Sequence, residues 1–523
     1  MNKKNESIRT QRELKIRTVD KRTEYNHVSN FIEDESGFSS MNLKGSGDLE
    51  EVKSAEVPEP AKIPDVELIV DGFGFMPDHM QTTRRGSKVS KSKKSRRDSD
   101  VSTEGSPCCS STNINIVRRY TWKTKNRMKV QVISYGATIT SLSVPDRKGV
   151  PDDVVAGFDT LEEYFQPENP YFGATIGRCA NYIREATMVV RPSGRMYNLS
   201  NNKGHHHYNG GFRGFDKVNW QSYVSGYKVI MSHVSERFDE GYPGTVLVQV
   251  CFETTCDNTL KIEMKCSTSE PTIINMSCAP YFNLGGHHSG PGTMLDHIFT
   301  INADKFTVMD DDGVVTGEKK IVGGTAYDFR VPRLLKTMIP KIPLGGYDLN
   351  YCITQGTEQD LTFQARALHP VSGRVVEVYS NQPGMQFYTG NLLPDPDKIV
   401  EQAEEEVTQE EKKSIAEETE SDESVSSVSE AGHESAEEEE SKVIVTFFSN
   451  LCNVACGVKK YGYVPLNGKD GTCYQKHGLF CLMPQNYPNA VNHKKFPNSV
   501  LNPGEVYVHR MQFKFGLLLG KYV

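Results

Sequence analysis

The chain has 523 residues, a formal net charge of −7 and 37% hydrophobic residues. That length admits one large β fold of about 250–300 residues with long polar extensions, and no uncharged apolar run approaches the roughly 18–20 residues a membrane-crossing helix needs. The charge is concentrated: residues 401–440 hold 17 Asp/Glu against 2 Lys, a local −15, so everything else sums to −7 + 15, about +8.

Residues 1–114 are polar and rich in Ser, Lys, Arg and Asp/Glu, without a sustained period of 2 or 3.6. Such a segment cannot bury enough apolar surface to offset chain entropy, and it reads as a disordered tail. Its first twenty residues, MNKKNESIRTQRELKIRTVD, are charged throughout and have no apolar core, unlike a secretory signal. Within the tail, residues 84–99 carry eight basic residues and one acidic residue, Asp98. Arg84-Arg85-Gly86-Ser87 and Arg96-Arg97-Asp98-Ser99 each set two arginines ahead of a serine, which suits a basophilic kinase and makes Ser87 and Ser99 phosphorylation candidates. Residues 84–97 also read as a nuclear-import or anionic-surface patch.

From about residue 115 the texture becomes that of strands. Val246, Val248, Val250 and Phe252 alternate with Leu247, Gln249, Cys251 and Glu253, and Leu260, Ile262, Met264 and Cys266 alternate with Lys261, Glu263 and Lys265. Period 2 about a polar turn at Asp257-Asn258 predicts a hairpin with one buried face. Short Gly/Pro turns recur and no long amphipathic helix appears, so the class is mainly β, a large antiparallel β-sandwich or closed sheet. Residues 394–442 interrupt it with a Glu/Ser-rich run best treated as an extruded acidic insert. Strand texture resumes at Val443-Ile444-Val445-Thr446-Phe447-Phe448, so residues 115–523 read as one domain interrupted by that insert.

Twelve cysteines, Cys108-Cys109 among them, follow no framework spacing, which fits reduced thiols and a cytoplasmic protein. Cys452-x3-Cys456 is half a zinc pattern with no second half. His205, His206 and His207 invite a metal reading, but consecutive strand residues point to opposite faces and the sequence places no carboxylate beside them. No metal and no cofactor is expected.

Ten ordered blocks carry a family resemblance. YGATITSLSVPDRKG, DDVVAGFDTLEEY, PYFGATIGRCAN, GGFRGFDKVNW, DEGYPG, YFNLGG, GTAYDFR, GYDLNY, SGRVVEVYSNQPGMQFYTGN and QNYPNAVNHKKFPNSVLNPGEVY resemble the galactose mutarotase (aldose 1-epimerase) family over about residues 125–517, the insert excluded. The resemblance implies a supersandwich fold with a sugar pocket on a large antiparallel sheet. It also implies a glutamate base and a histidine acid that open the hemiacetal of a hexose, with a second histidine, an arginine and an aspartate holding hydroxyls.

Position by position, the chemistry has changed. Cys278-Ala279-Pro280-Tyr281-Phe282-Asn283-Leu284 sets Ala279 at the acid position, and Cys481-Leu482-Met483-Pro484-Gln485-Asn486 sets Met483 at the base position. Tyr208-Asn209-Gly210-Gly211 replaces the second histidine by Asn209, and Gly177-Arg178-Cys179-Ala180-Asn181-Tyr182 replaces the second arginine by Tyr182. Arg178, Asn181, Asp348, Gln382 and Gln386 keep the family residue. His205–His207 and His287-His288 are the nearby candidates for a substitute acid or base, and His477 matches a family residue outside the acid/base pair. The expected substrate-binding set is Asn181, Asp348, Asn209, Arg178 and Gln386, with no catalytic pair. The reading is a catalytically impaired hexose-binding or scaffolding relative; the alternative is an active epimerase on glucose or galactose. A protein partner is expected at the acidic loop or basic tail, and nucleic acid is not.

Overall fold

In the computed structural model the described residues are 65–77, 115–191, 193–343, 345–356, 360–397 and 465–520. Ser87, Ser99, the basic stretch 84–99, Cys108-Cys109, the acidic run 401–440, the segment 443–448 and Cys452 and Cys456 lie outside them. Among the described residues the architecture is antiparallel β, with a nine-stranded, a six-stranded and a five-stranded sheet and several two-stranded ribbons. The longest α-helix there is Gly290–Leu295, and no helix is long and apolar enough to cross a membrane.

The hairpin read from period 2 is Val246–Thr255 paired with Thr259–Thr268 in the nine-stranded sheet. Its apolar positions Val246, Val248, Val250, Phe252, Leu260, Ile262 and Met264 all enter the main core. Opposite them, the six-stranded sheet contributes Phe282, Leu349, Tyr351, Met385, Phe387, Phe480 and Leu482 to the same core. Side chains alternate across a strand, so these inward residues commit their neighbours Tyr281, Asp348, Asn350, Gln386, Tyr388, Cys481 and Met483 to the other face.

The tail boundary at residue 115 needs correction. Val66–Phe75 is a strand that pairs antiparallel with Ile116–Thr124 and forms the edge of the five-stranded sheet. Val66 is buried, Asp71 accepts two hydrogen bonds from the Arg119 guanidinium (2.9 and 2.6 Å), and Phe73 packs edge-on to Tyr164 with centroids 6.1 Å apart. At Gly74 an added Cβ would lie 2.8 Å from Leu161 Cδ2, so glycine permits the close approach. Only one of the strand's ten residues is fully buried, and its stability comes from pairing and packing with distant segments.

Candidate functional site

The outward face of the six-stranded sheet carries the residues singled out from the sequence. Register places Asp348, Tyr388, Cys481 and Tyr281 side by side in one row across strands Asp348–Ile353, Gly384–Tyr388, Phe480–Gln485 and Tyr281–Phe282. The next row is Asn350, Gln386 and Met483, and the third sets Gly384 between Cys352 and Gln485. The third row needs glycine: a Cβ at Gly384 would lie 2.5 Å from Asn350 Oδ1 and 3.0 Å from Tyr487 Cδ1.

Asp348 is anchored by the segment after Tyr388. Tyr347 N–H donates to Thr389 Oγ1 (2.8 Å), Thr389 N–H donates to Tyr347 O (3.0 Å), and Asn391 Nδ2 donates to the same carbonyl (3.0 Å). Gln386 Nε2 donates to Asp348 Oδ1 at 2.7 Å. Burial pushes the Asp348 carboxyl up from 3.8 to about 6, against the lowering effect of the Gln386 bond. Its charge reaches Tyr182, Tyr208 and Tyr388, whose phenols are raised first by their own burial and then by Asp348; the Tyr281 phenol is raised by burial, then by Cys481, Tyr388 and Tyr208, with Asp348 the smallest cause. These phenols stay neutral; Tyr281 Oη donates to Pro170 O (2.8 Å), which leaves Tyr182, Tyr208 and Tyr388 able to donate to a hydroxyl.

Around Asp348 the aromatic residues form a wall. Tyr182 and Tyr208 lie opposite each other on paired short strands with centroids 4.5 Å apart, Tyr171 meets Tyr208 edge-on at 6.1 Å, and Tyr281 meets Tyr388 at 5.9 Å. Asn209 holds Asn181: Asn209 Oδ1 accepts the Asn181 N–H at 2.8 Å, and Asn181 Oδ1 accepts the Tyr182 N–H at 2.8 Å. Asn181 and Asn209 both sit at positive φ, 67° and 46°, a conformation asparagine tolerates better than most residues.

Ala279 and Met483 belong to this site. Ala279 lies in one buried cluster with Tyr281, Tyr388 and Cys481, and Met483 and Tyr171 pack against it. Asp348 is the one carboxylate on the three rows. Buried amides face the same side without a protein partner at both polar atoms of Asn350, both of Gln485 and Oε1 of Gln386. A buried amide group without a partner costs about 1–3 kcal/mol, which marks a surface suited to a polar ligand.

Other sequence candidates are engaged elsewhere. All five N–H donors of the buried Arg178 guanidinium are spent on protein: on Ser235 Oγ (2.8 Å) and on the carbonyls of Pro243, Gly244, Ser235 and Glu236 (2.7–3.0 Å). Burial lowers Arg178 to about 10, so it remains charged, and it has no donor left for a sugar. Arg178 is therefore reassigned from ligand holder to scaffold. Gln382 Nε2 donates to Asn381 Oδ1 (3.3 Å) and Gln382 O accepts from Gln364 (2.9 Å). His287 Nδ1 bonds with Tyr474 Oη (3.0 Å), His207 Nε2 with Tyr242 Oη (2.6 Å), and His477 Nδ1 with Thr389 O (2.9 Å).

His205 and His206 lie ahead of the strand His207–Tyr208 and do not alternate; both turn their Nε2 atoms toward Asp312, 3.9 and 3.6 Å away. The grouping resembles a ligand set. Yet His206 Nδ1 accepts the Glu185 N–H at 3.0 Å, so the neutral ring carries its proton on Nε2 and offers Asp312 a donor rather than a lone pair.

The residues that sequence reasoning passed over are Tyr171, Tyr208, Tyr281, Tyr388, Asn350 and Gln485. The alternation of Asp348 with Leu349 and of Gln386 with Phe387 carried a signal for Asn350 and Tyr388; the wall formed by Tyr171 and Tyr208 comes from segments far from them in the chain, Tyr208 on the two-residue strand His207–Tyr208.

The family model for aldose 1-epimerase matches residues 118–442. Galactose mutarotase of Sus scrofa is 36% identical over 392 residues, covering 75% of this chain and 92% of the relative, and aldose 1-epimerase of Haemophilus influenzae is 31% identical over 277 residues, covering 52% and 78%. The crystal structure of a GalM/aldose epimerase homologue from C. elegans shares the fold, with 23% identity, a TM-score of 0.57 and coverage of 75% of this chain and 97% of that one. With the family model matched over residues 118–442 and 36% identity to a relative covered over 92% of its length, the chain belongs to the aldose 1-epimerase family.

Proposed function

We propose that the chain binds a hexose, galactose first by the names of its relatives, without catalysing the interconversion of its anomers. Opening a hemiacetal requires a base to take the proton of the anomeric hydroxyl and an acid to protonate the ring oxygen, with the roles then reversed on the other face. A methyl group and a thioether do neither. The observation that carries the reading is that Ala279 and Met483, which the block resemblance aligns with the family's acid and base, lie beside three strand rows whose sole carboxylate is Asp348. Each positioned acid or base contributes about 10²–10⁴ in rate, and mutarotation proceeds unaided in water, so little advantage over solvent is expected.

One observation favours the alternative of an active epimerase. A buried carboxyl raised to about 6 is matched to proton transfer near neutrality, and Asp348 could serve as a lone acid/base. Polarimetry on α-D-galactose and α-D-glucose separates the two. The proposal expects decay at the buffer rate; acceleration abolished by Asp348→Asn would establish the alternative.

A further inference from the structure

The site has two unlike halves. On one side stand Asp348 with its Gln386 bond, the partnerless amides of Asn350 and Gln485, and the Asn181–Asn209 pair. On the other, Ala279 and Met483 join Tyr171, Tyr281, Tyr388 and Cys481 in one apolar and aromatic cluster. Ala279 and Met483 hold the positions that address the anomeric oxygen and the ring oxygen in this family, so the apolar half faces the anomeric end of a bound hexose. There a free anomeric hydroxyl, a donor and acceptor that water fully satisfies, would meet a methyl and a thioether in place of the family's acid and base, with the Gln386 amide and the Tyr388 phenol at the border of the two halves. Burial of an unpaired hydroxyl is unfavourable, and burial of a hydrocarbon group in its place is favourable. The cluster is also adaptable: Met483 is only partly buried, and its unbranched thioether repacks around groups of different shape and contacts aromatic rings well. Aromatic side chains nearby supply large contact area for a flat substituent.

We propose that this pocket takes a glycoside, a hexose whose anomeric oxygen carries an apolar group, in preference to the free reducing sugar. The proposal rests on the hexose-binding reading and names the ligand class within it. No bond is made or broken: an enzyme that must release the anomeric proton needs a free hydroxyl there, and a pocket without acid or base has no such need. The polar half retains the means to recognise the remaining ring hydroxyls, and the apolar half selects for what replaces the anomeric hydrogen.

Isothermal titration of the full chain with D-galactose, the methyl α- and β-D-galactopyranosides, the phenyl β-D-galactopyranoside and phenol tests this. The expected result is that at least one glycoside binds about tenfold more tightly than galactose, and that phenol alone binds far more weakly. Met483→Glu should reverse the order by restoring a partner for the anomeric hydroxyl. Because a glutamate there could disturb the cluster, Met483→Gln, which is uncharged, provides a second test and should narrow the same ratio. Tighter binding of free galactose than of every glycoside would overturn the inference while leaving hexose binding intact. Phenol binding as strongly as its galactoside, or an unchanged ratio in both Met483 variants, would also overturn it. Absence of binding by all the sugars would overturn both the inference and the hexose-binding reading.

Discussion

Replacing Asp348 by asparagine should stabilise the protein at neutral pH and do nothing at pH 4. The carboxyl is raised from 3.8 to about 6 by burial, against the lowering effect of the hydrogen bond it accepts from Gln386 Nε2 at 2.7 Å. A folded-state pKa above the unfolded one means that between about pH 4 and 6 the folded chain keeps a proton that the unfolded chain releases. Stability from this group is thus full below pH 4, lost as pH rises through 6, and fully absent above it. One pH unit of displacement is worth about 1.4 kcal/mol, which sets a ceiling of about 3 kcal/mol. Asp348 is only half-buried, so water screens the charge and a gain of about 1–2 kcal/mol is expected for Asp348→Asn at pH 7.5. Asparagine retains a carbonyl oxygen to accept the Gln386 bond. By thermal denaturation the variant should melt about 2–4 °C above the parent at pH 7.5, with the two curves coinciding at pH 4. A variant less stable than the parent at pH 7.5, or an equal difference at both pH values, would refute the reasoning.

Two further outcomes follow from the packing. Arg178→Met strands the Ser235, Glu236, Pro243 and Gly244 carbonyls in a buried setting and should cost at least about 3 kcal/mol, read as a lower denaturation midpoint; the hexose Kd of the folded fraction should not change, and selective loss of affinity at full stability would restore Arg178 as a ligand holder. Removing residues 1–77 should lower the Tm by several degrees relative to removing residues 1–64, since the buried Val66 side chain alone is worth about 2 kcal/mol; equal melting of the two truncations would show that the edge strand contributes nothing.

The β class was legible because burial on one face leaves a period of 2 in each strand, as in Val246–Thr255, where the alternate apolar residues are the ones in the core. That Ala279 and Met483 neighbour the outward rows was legible because both sit inside blocks, YFNL and QN, whose flanks place them next to strand residues of those rows. Val66–Phe75 was missed because it is a half-exposed edge strand bounded by polar sequence, and its partner Ile116–Thr124 lies beyond a long intervening segment. Arg178 was misassigned because its residue type matches the family pattern while its role depends on four carbonyls and a hydroxyl from residues 235–244. The convergence of His205 and His206 on Asp312 depends on a hairpin turn far along the chain, which no local spacing announces. The two-sided character of the pocket is likewise a property of strand register, since it appears only once Gln386 is set opposite Met483 and Asp348 opposite Tyr388.

The central claim is that a sugar site persists without the chemistry of its family. Its most direct test is polarimetric decay of α-D-galactose in the presence of the full chain, run beside the double variant Ala279→His, Met483→Glu. The account predicts the buffer rate for the parent chain and at least a tenfold acceleration for the double variant; acceleration by the parent chain well above buffer would contradict it.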